Sequence, residues 1–234
     1  MSSLAKFPIT SRWPPQHPER IQLYSLNTPN GVKVSIMLEE TQLPYEPHLV
    51  DIMKGESHTP EFEAINPYGK IPAIIDPSGP GGEPLALFES GAILLYLADK
   101  TGECIPSDEA RRWQTIQWVF FQMAAIGPMF GQLGYFNKFA GKDIRDKRPL
   151  ERYVDESKRL LNILDRRLDG RTWIMGDDYG IADIATLGWV RNLITFYEAR
   201  ELVEYDKLAN VPAWLDRALA RPAVQRGLEI PRRS

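Results

Sequence analysis

The 234-residue chain is poor in the residues that usually carry covalent or metal chemistry. Its one cysteine, Cys104, excludes an internal disulfide, and nothing in the composition calls for an oxidising compartment. The three histidines, His17, His48 and His58, and that lone cysteine show no metal-ligand spacing, which argues against structural zinc. No run approaches the ~20 apolar residues that span a bilayer, and the opening MSSLAKFPITSRWPPQHPER holds no apolar core of signal-peptide length. Both absences point to a cytoplasmic protein with no membrane partner. A basic surplus is missing too: 28 Lys+Arg against 31 Asp+Glu leave no footprint for nucleic acid. What is present is ordinary. Hydrophobic residues at 43% and charged residues at 25% exclude wholesale disorder and collagen-like or disulfide-stapled folds, and the length favours two domains over one.

The first stretch, 1–19, carries Pro8, Pro14, Pro15 and Pro18 without periodicity and reads as a proline-rich extension on the surface, outside the fold. From Ile21 the pattern becomes regular. IQLYSL reads as a buried strand, NTPNG as a turn, VKVSIMLEET as a helix of about three turns, and YEPHLVDI as a second strand placed at an edge by Pro47. A strand–helix–strand unit of this length predicts parallel strands. PEFEAI is a helical turn opened by Pro60, Ala73 to Asp76 a third strand, and LALFES a fourth, antiparallel to it across SGPGGEP. The helix SGAILLYLADK follows, with Ser90 as N-cap and Gly102 as stop. Residues 20–103 thus form a small α/β domain. After a linker, Ile105 to Asp108, residues 108–234 read at helical spacing throughout: an all-α domain.

The strand, helix and loop order, with NPYGKIPAI, FESGAILLYLA and GIADIA, resembles the cytosolic glutathione transferases over about Ile21 to Pro222. TPNG after the first strand, together with PEF…INPYGKIPAI and GGEPLALFESGAILLYLADKTG, is similar more narrowly to their bacterial nu class. It is also similar to the glutathione-binding domain of the yeast prion nitrogen regulator. The resemblance implies the glutathione transferase fold: an α/β thioredoxin-like N-terminal domain plus an all-α C-terminal domain, in a homodimer. It implies glutathione, reduced or oxidised, as co-substrate without a metal. The partners it implies are small-molecule thiols, disulfides and hydroperoxides. The expected activity is disulfide-bond reduction and organic hydroperoxide reduction, with weak conjugation. The alternatives are a conjugating or dehalogenating transferase, or a non-catalytic glutathione-binding regulator.

Each site residue has a functional and a plainer reading. Ile71-Pro72 suits a cis bond that would leave the Ile71 N–H and C=O to pair with the ligand backbone, or is a turn proline. Ser90, at a helix N-terminus, would take the γ-glutamyl carboxylate, or is a cap; Glu89 would pair with the ligand's amine. Lys70 would meet the glycyl end, or is a solvated lysine. Arg152, in an ERY element of the second long helix, would reach a ligand carboxylate, or is an exposed arginine. The thiol itself needs activation: lowering its ordinary ~8.5 by ~2 units takes about 2.7 kcal/mol. Two hydrogen bonds to the thiolate, at roughly 1.5–3 kcal/mol each, suffice. The resemblance assigns that work to Thr28 and Asn30; alone, TPNG would be a turn and cap. Tyr24 reads as a core tyrosine rather than a catalyst. Cys104, far from this turn in sequence, argues against a cysteine nucleophile. Two departures from the family pattern stand out: Ser57 where glutamine is frequent, and Gly180 where a Ser or Thr cap is usual before I-A-D.

Overall fold

A computed structural model of the protein describes residues 3–232. By contacts the chain divides into two compact units: residues up to Thr101 with those from Pro222 onward, and Gly102–Arg221. The first unit opens with a helical turn, α1 (Ile9–Arg12), then β1 (Ile21–Ser25), α2 (Gly31–Glu40), β2 (Tyr45–Leu49), α3 (Pro60–Glu63), β3 (Ala73–Asp76), β4 (Leu85–Phe88) and α4 (Ser90–Thr101). The strands form one sheet in the order β2-β1-β3-β4, thioredoxin-like as expected. β1 and β2 are parallel, β3 runs antiparallel to both β1 and β4, and Pro47 sits on the edge strand.

All five residues of β1 are buried, so both faces of the sheet are covered. Register places Gln22 opposite Ile75 and Tyr24 opposite Ala73, hence on one face. Against that face lie Leu4, Ile9, Val50, Phe62 and Ile65. The opening segment is therefore not an arm outside the fold: Leu4 and Ile9 are 1% and 0% exposed. Trp13 Nε1 donates to the Leu49 carbonyl at 3.1 Å, and the Gln16 and His17 N–H groups donate to the Glu46 carboxylate at 2.8 and 2.7 Å. Four prolines erase periodicity without preventing packing, which is why the sequence pattern concealed it. The opposite face carries α2 and α4, and α2 also meets the short helical segment that begins at Pro222.

The second unit contains α5 (Glu109–Phe121), α6 (Gly127–Lys138), α7 (Arg148–Leu168), α8 (Ile181–Ile194) and α9 (Val211–Leu219). Helices α5 and α6 are joined by a π-turn, Gln122–Ile126, just before Pro128, where Gly127 N–H bonds to the Gln122 carbonyl. The wider turn accommodates a proline that lacks an N–H and would clash with the carbonyl four residues back. α8 is buried from Ile181 through Val190. It is anchored by Asp183, whose carboxylate accepts from Ile174 N–H at 3.0 Å, Gly180 N–H at 3.2 Å and Trp214 Nε1 at 2.8 Å. Gly180 has a positive reason: a Cβ there would lie 2.6 Å from the Cys104 carbonyl oxygen, which itself accepts from Ile181 N–H at 2.9 Å. The loop backbone thus occupies the space a Ser or Thr cap would need.

The chain then returns to the first unit through α10 (Pro222–Gly227), where Ser35 Oγ donates to the Gly227 carbonyl at 2.6 Å and Arg226 pairs with Glu39. Among the described residues no helix is long and apolar enough to cross a membrane.

Candidate functional site

The candidate site residues of the first unit belong to three connections at the ends of the strands. The first joins β1 to α2. Thr28 N–H closes a tight turn onto the Leu26 carbonyl at 2.7 Å, and the Thr28 carbonyl accepts from Val32 N–H at 3.0 Å. Gly31 is required here: a Cβ would stand 1.8 Å from the Leu26 oxygen, so only glycine lets the helix start this close to the strand end. The Thr28 hydroxyl accepts from Gly31 N–H at 3.3 Å. Its own proton is donated to no group among the described residues, so it remains available to an acceptor beside the turn. Asn30 immediately precedes the helix and makes no side-chain capping bond to it. Both side chains are half-buried. The turn-and-cap reading of TPNG and the donor reading therefore coexist.

The second connection leads into β3. Ile71-Pro72 is a cis peptide bond. Pro72 is buried and Ile71 half-buried, and neither backbone group of Ile71 has a partner among the described residues. Asn66 shapes the loop, its amide donating to the Lys70 carbonyl and its side-chain oxygen accepting from Tyr68 N–H at 3.0 Å. Lys70 itself is exposed, its ammonium 5.7 Å from the Tyr68 ring centre.

The third connection, β4 to α4, differs from expectation in one respect. Ser90 is the first residue of α4 rather than its cap. The cap position falls to Glu89, whose carbonyl accepts from Ile93 N–H at 2.9 Å and whose φ is +70°. A left-handed conformation at a non-glycine residue costs about 1–3 kcal/mol and persists only where the surroundings demand it. Here it leaves Glu89 exposed and Ser90 buried at the helix head.

Beneath Ser90 lies a residue that sequence reasoning missed. Lys33 of α2 is 0% exposed, and its ammonium donates to Ser90 Oγ at 3.2 Å. Burial lowers its pKa to about 7, against the pull of the Glu89 carboxylate. The signal was available: a lysine between Val32 and Val34, in a helix buried from Gly31 to Leu38, has no solvated face to occupy.

The remaining expected residues lie elsewhere. Tyr24 is a core residue, 0% exposed, its ring stacked on His48 at 4.7 Å. Burial drives its phenol well above the ordinary range, the Glu46 charge adding to the effect. Ser57 is buried. Arg152 belongs to the second unit, exposed on α7 with its guanidinium 3.9 Å from Glu156. Cys104 also belongs there, half-buried, in the left-handed region at φ +60°. Among the described residues no group of His, Cys, Asp and Glu is arranged to hold a metal ion.

A thioredoxin-like sheet with an alcohol and an amide at its first turn, a cis-proline loop, and an acid and serine at a helix head defines a recognisable class. The model of the glutathione S-transferase N-terminal domain matches residues 28–100, and that of the C-terminal domain residues 125–222. The chain belongs to the glutathione S-transferase family. It is 44% identical over 209 residues to the disulfide-bond oxidoreductase YfcG of Escherichia coli, covering 89% of this chain and 94% of the relative. A glutathione transferase of Burkholderia graminis, solved with two glutathione molecules per subunit, shares 66% identity and a TM-score of 0.98, covering 100% of this chain and 98% of that one. The nitrogen regulation fragment of the yeast prion protein Ure2p is 31% identical with a TM-score of 0.79, covering 91% and 97%.

Proposed function

We propose that the protein is a cytosolic, homodimeric glutathione-dependent disulfide-bond oxidoreductase. The Thr28 hydroxyl carries the reading: it accepts from Gly31 N–H and keeps its proton for an anionic sulfur at the head of α2. With the Asn30 amide it would supply the two charge-assisted hydrogen bonds that lowering a thiol by ~2 units requires. Glutathione would run along Ile71 and Pro72, its γ-glutamyl end at Glu89 and Ser90 and its glycyl end toward Lys70.

The chemistry needs no protein cysteine. A glutathione thiolate attacks one sulfur of a small disulfide, forming a new S–S bond as the old one breaks, and the departing thiolate takes a proton. A second glutathione resolves the mixed disulfide, giving glutathione disulfide and two reduced thiols. The Burkholderia relative, with two glutathiones per subunit, suits such a two-sulfur step. Organic hydroperoxides would be reduced by the same thiolate attacking oxygen, releasing the alcohol; a second glutathione then converts the sulfenic acid to disulfide and water. Conjugation to aryl halides would be weak.

The test is steady-state reduction of a mixed disulfide of glutathione and a small thiol. The wild type should accelerate it, and the Thr28→Ala, Asn30→Ala double variant should lose roughly 100-fold in kcat/KM, as two hydrogen bonds to an anion imply. Wild-type turnover no faster than buffer, or an unimpaired double variant, would refute the proposal. The likeness to the Ure2p fragment favours a second reading, a glutathione-binding regulator without turnover. Tight glutathione binding with no catalysis would establish it.

A further inference from the structure

The opening segment covers one face of the sheet, and its contacts continue into the second connection. Leu4 and Ile9 share an apolar cluster with Phe62 of α3 and with Ile65 just beyond it, and Ile71 packs against that same cluster. A polar line runs beside the apolar one. Arg12 of α1 pairs with the Glu56 carboxylate at 3.5 Å, and that carboxylate also accepts from Asp51 N–H at 2.7 Å. The Glu56 carbonyl accepts from the Thr59 hydroxyl at 3.0 Å, and Thr59 caps α3 by accepting from Phe62 N–H at 3.4 Å. From α3 the bonds lead on toward Ile71: Asn66 N–H donates to the Phe62 carbonyl and Gly69 N–H to the Asn66 carbonyl, each at 3.0 Å.

Helix α3 has only four residues. A single turn fixes several backbone angles for almost no hydrogen bonds, so its conformation depends on what its apolar side chains meet. Phe62 and Ile65 meet Leu4 and Ile9. We infer that the opening segment is a brace for the cis-proline loop and strengthens glutathione binding by holding Ile71 in place, with Ile9 and Arg12 as its positioning residues. The inference rests on the glutathione reading above and gives the opening segment a part in it. The brace acts on binding rather than on sulfur, because Thr28 and Asn30 belong to a different connection, that of β1 to α2. Its two states are the segment docked and the segment released from the sheet. Coupling of this kind is reciprocal: if docking tightens ligand binding by some factor, the bound ligand tightens docking by the same factor.

Ile9→Asp places a carboxylate where no surface is exposed, and release of the terminal segment is its least costly escape. With glutathione disulfide as the probe, calorimetry should give a dissociation constant about tenfold above the wild type's. KM for glutathione should rise in step, while kcat at saturating glutathione stays within about twofold, since the sulfur donors are untouched. Arg12→Ala should weaken binding by about twofold and Arg12→Lys should restore it, as a half-exposed pair implies. The wild type supplies a second measurement, which decides if Ile9→Asp fails to fold. Trp13 N–H bonds to the Ile9 carbonyl, and the Gln16 and His17 N–H groups to Glu46. Saturating probe should slow hydrogen exchange at these three amides about tenfold. Unchanged affinity in Ile9→Asp, a kcat that falls as far as KM rises, or exchange indifferent to the probe would overturn the inference and leave the glutathione reading intact. No binding of the probe by the wild type would overturn both.

Discussion

Each unit buries a charged residue against a helix start, Lys33 in the first and Asp183 in the second, and the two are handled in opposite ways. Asp183, in the second unit, is ringed by its own chain: two backbone N–H groups and the Trp214 indole converge on its carboxylate. Lys33, in the first, is directed at a serine at the head of a helix, beside an exposed glutamate. Burial moves both toward neutrality, Asp183 up to about 6 and Lys33 down to about 7. The difference lies in what answers the charge. The carboxylate is enclosed by donors of its own neighbourhood, whereas the buried amine bonds to a side chain 57 positions away at the head of another helix.

The largest effect expected from this contrast is at Asp183. Asp183→Ala removes the acceptor from three buried or half-buried donors at once. At roughly 1–3 kcal/mol per stranded donor, with partial relaxation, the loss should be about 3–5 kcal/mol, read as a lowered urea midpoint. Asp183 would cease to be the counter-example to Lys33 if the variant unfolded at the wild-type midpoint.

Lys33 should move stability the other way. Replacing it with methionine removes a buried amine, and Lys33→Met should be more stable by about 1–3 kcal/mol at neutral pH. The pH dependence follows from the direction of the shift. A lysine whose folded pKa lies near 7, below its unfolded value of 10.5, binds fewer protons folded than unfolded between those values. Wild-type stability should therefore gain on the variant as pH rises from about 7 toward 10, and the variant's advantage should be greatest at and below pH 7. Denaturant titrations of both proteins across that range measure it. An advantage that grew with pH would mean that Lys33 is held charged in the free protein.

Much of this arrangement is legible in the sequence, for reasons that differ by element. The strands and α2 follow from short apolar runs between turn residues, and the edge position of β2 follows from Pro47, because each depends on local chemistry. The cis bond at Ile71-Pro72 and the positions of Thr28 and Asn30 are legible through family motifs whose residues are close in sequence. The packing of Leu4 and Ile9 is not, since a segment without a repeat gives no sign of the face it covers. Lys33 is missed because its partner, Ser90, lies 57 positions away. The helix pattern shows a lysine out of place without showing what it meets. The reason for glycine at position 180 is hidden in the same way, because the carbonyl that excludes a side chain there belongs to Cys104.

The smallest effect is expected at Arg152, which sharpens the contrast from the exposed side. Its guanidinium is 71% exposed and 3.9 Å from Glu156 on the same helix, a spacing typical of a solvent-screened pair that adds little to stability. Unlike Lys33, it is ordered by no burial, so any role toward a ligand carboxylate would be a loose, salt-sensitive attraction. Arg152→Ala should leave the urea midpoint unchanged and raise KM for glutathione about threefold at low ionic strength, the difference fading as salt is added. A KM that stays equal to the wild type's at low salt would leave Arg152 a surface arginine and assign the carboxylate recognition entirely to the first unit.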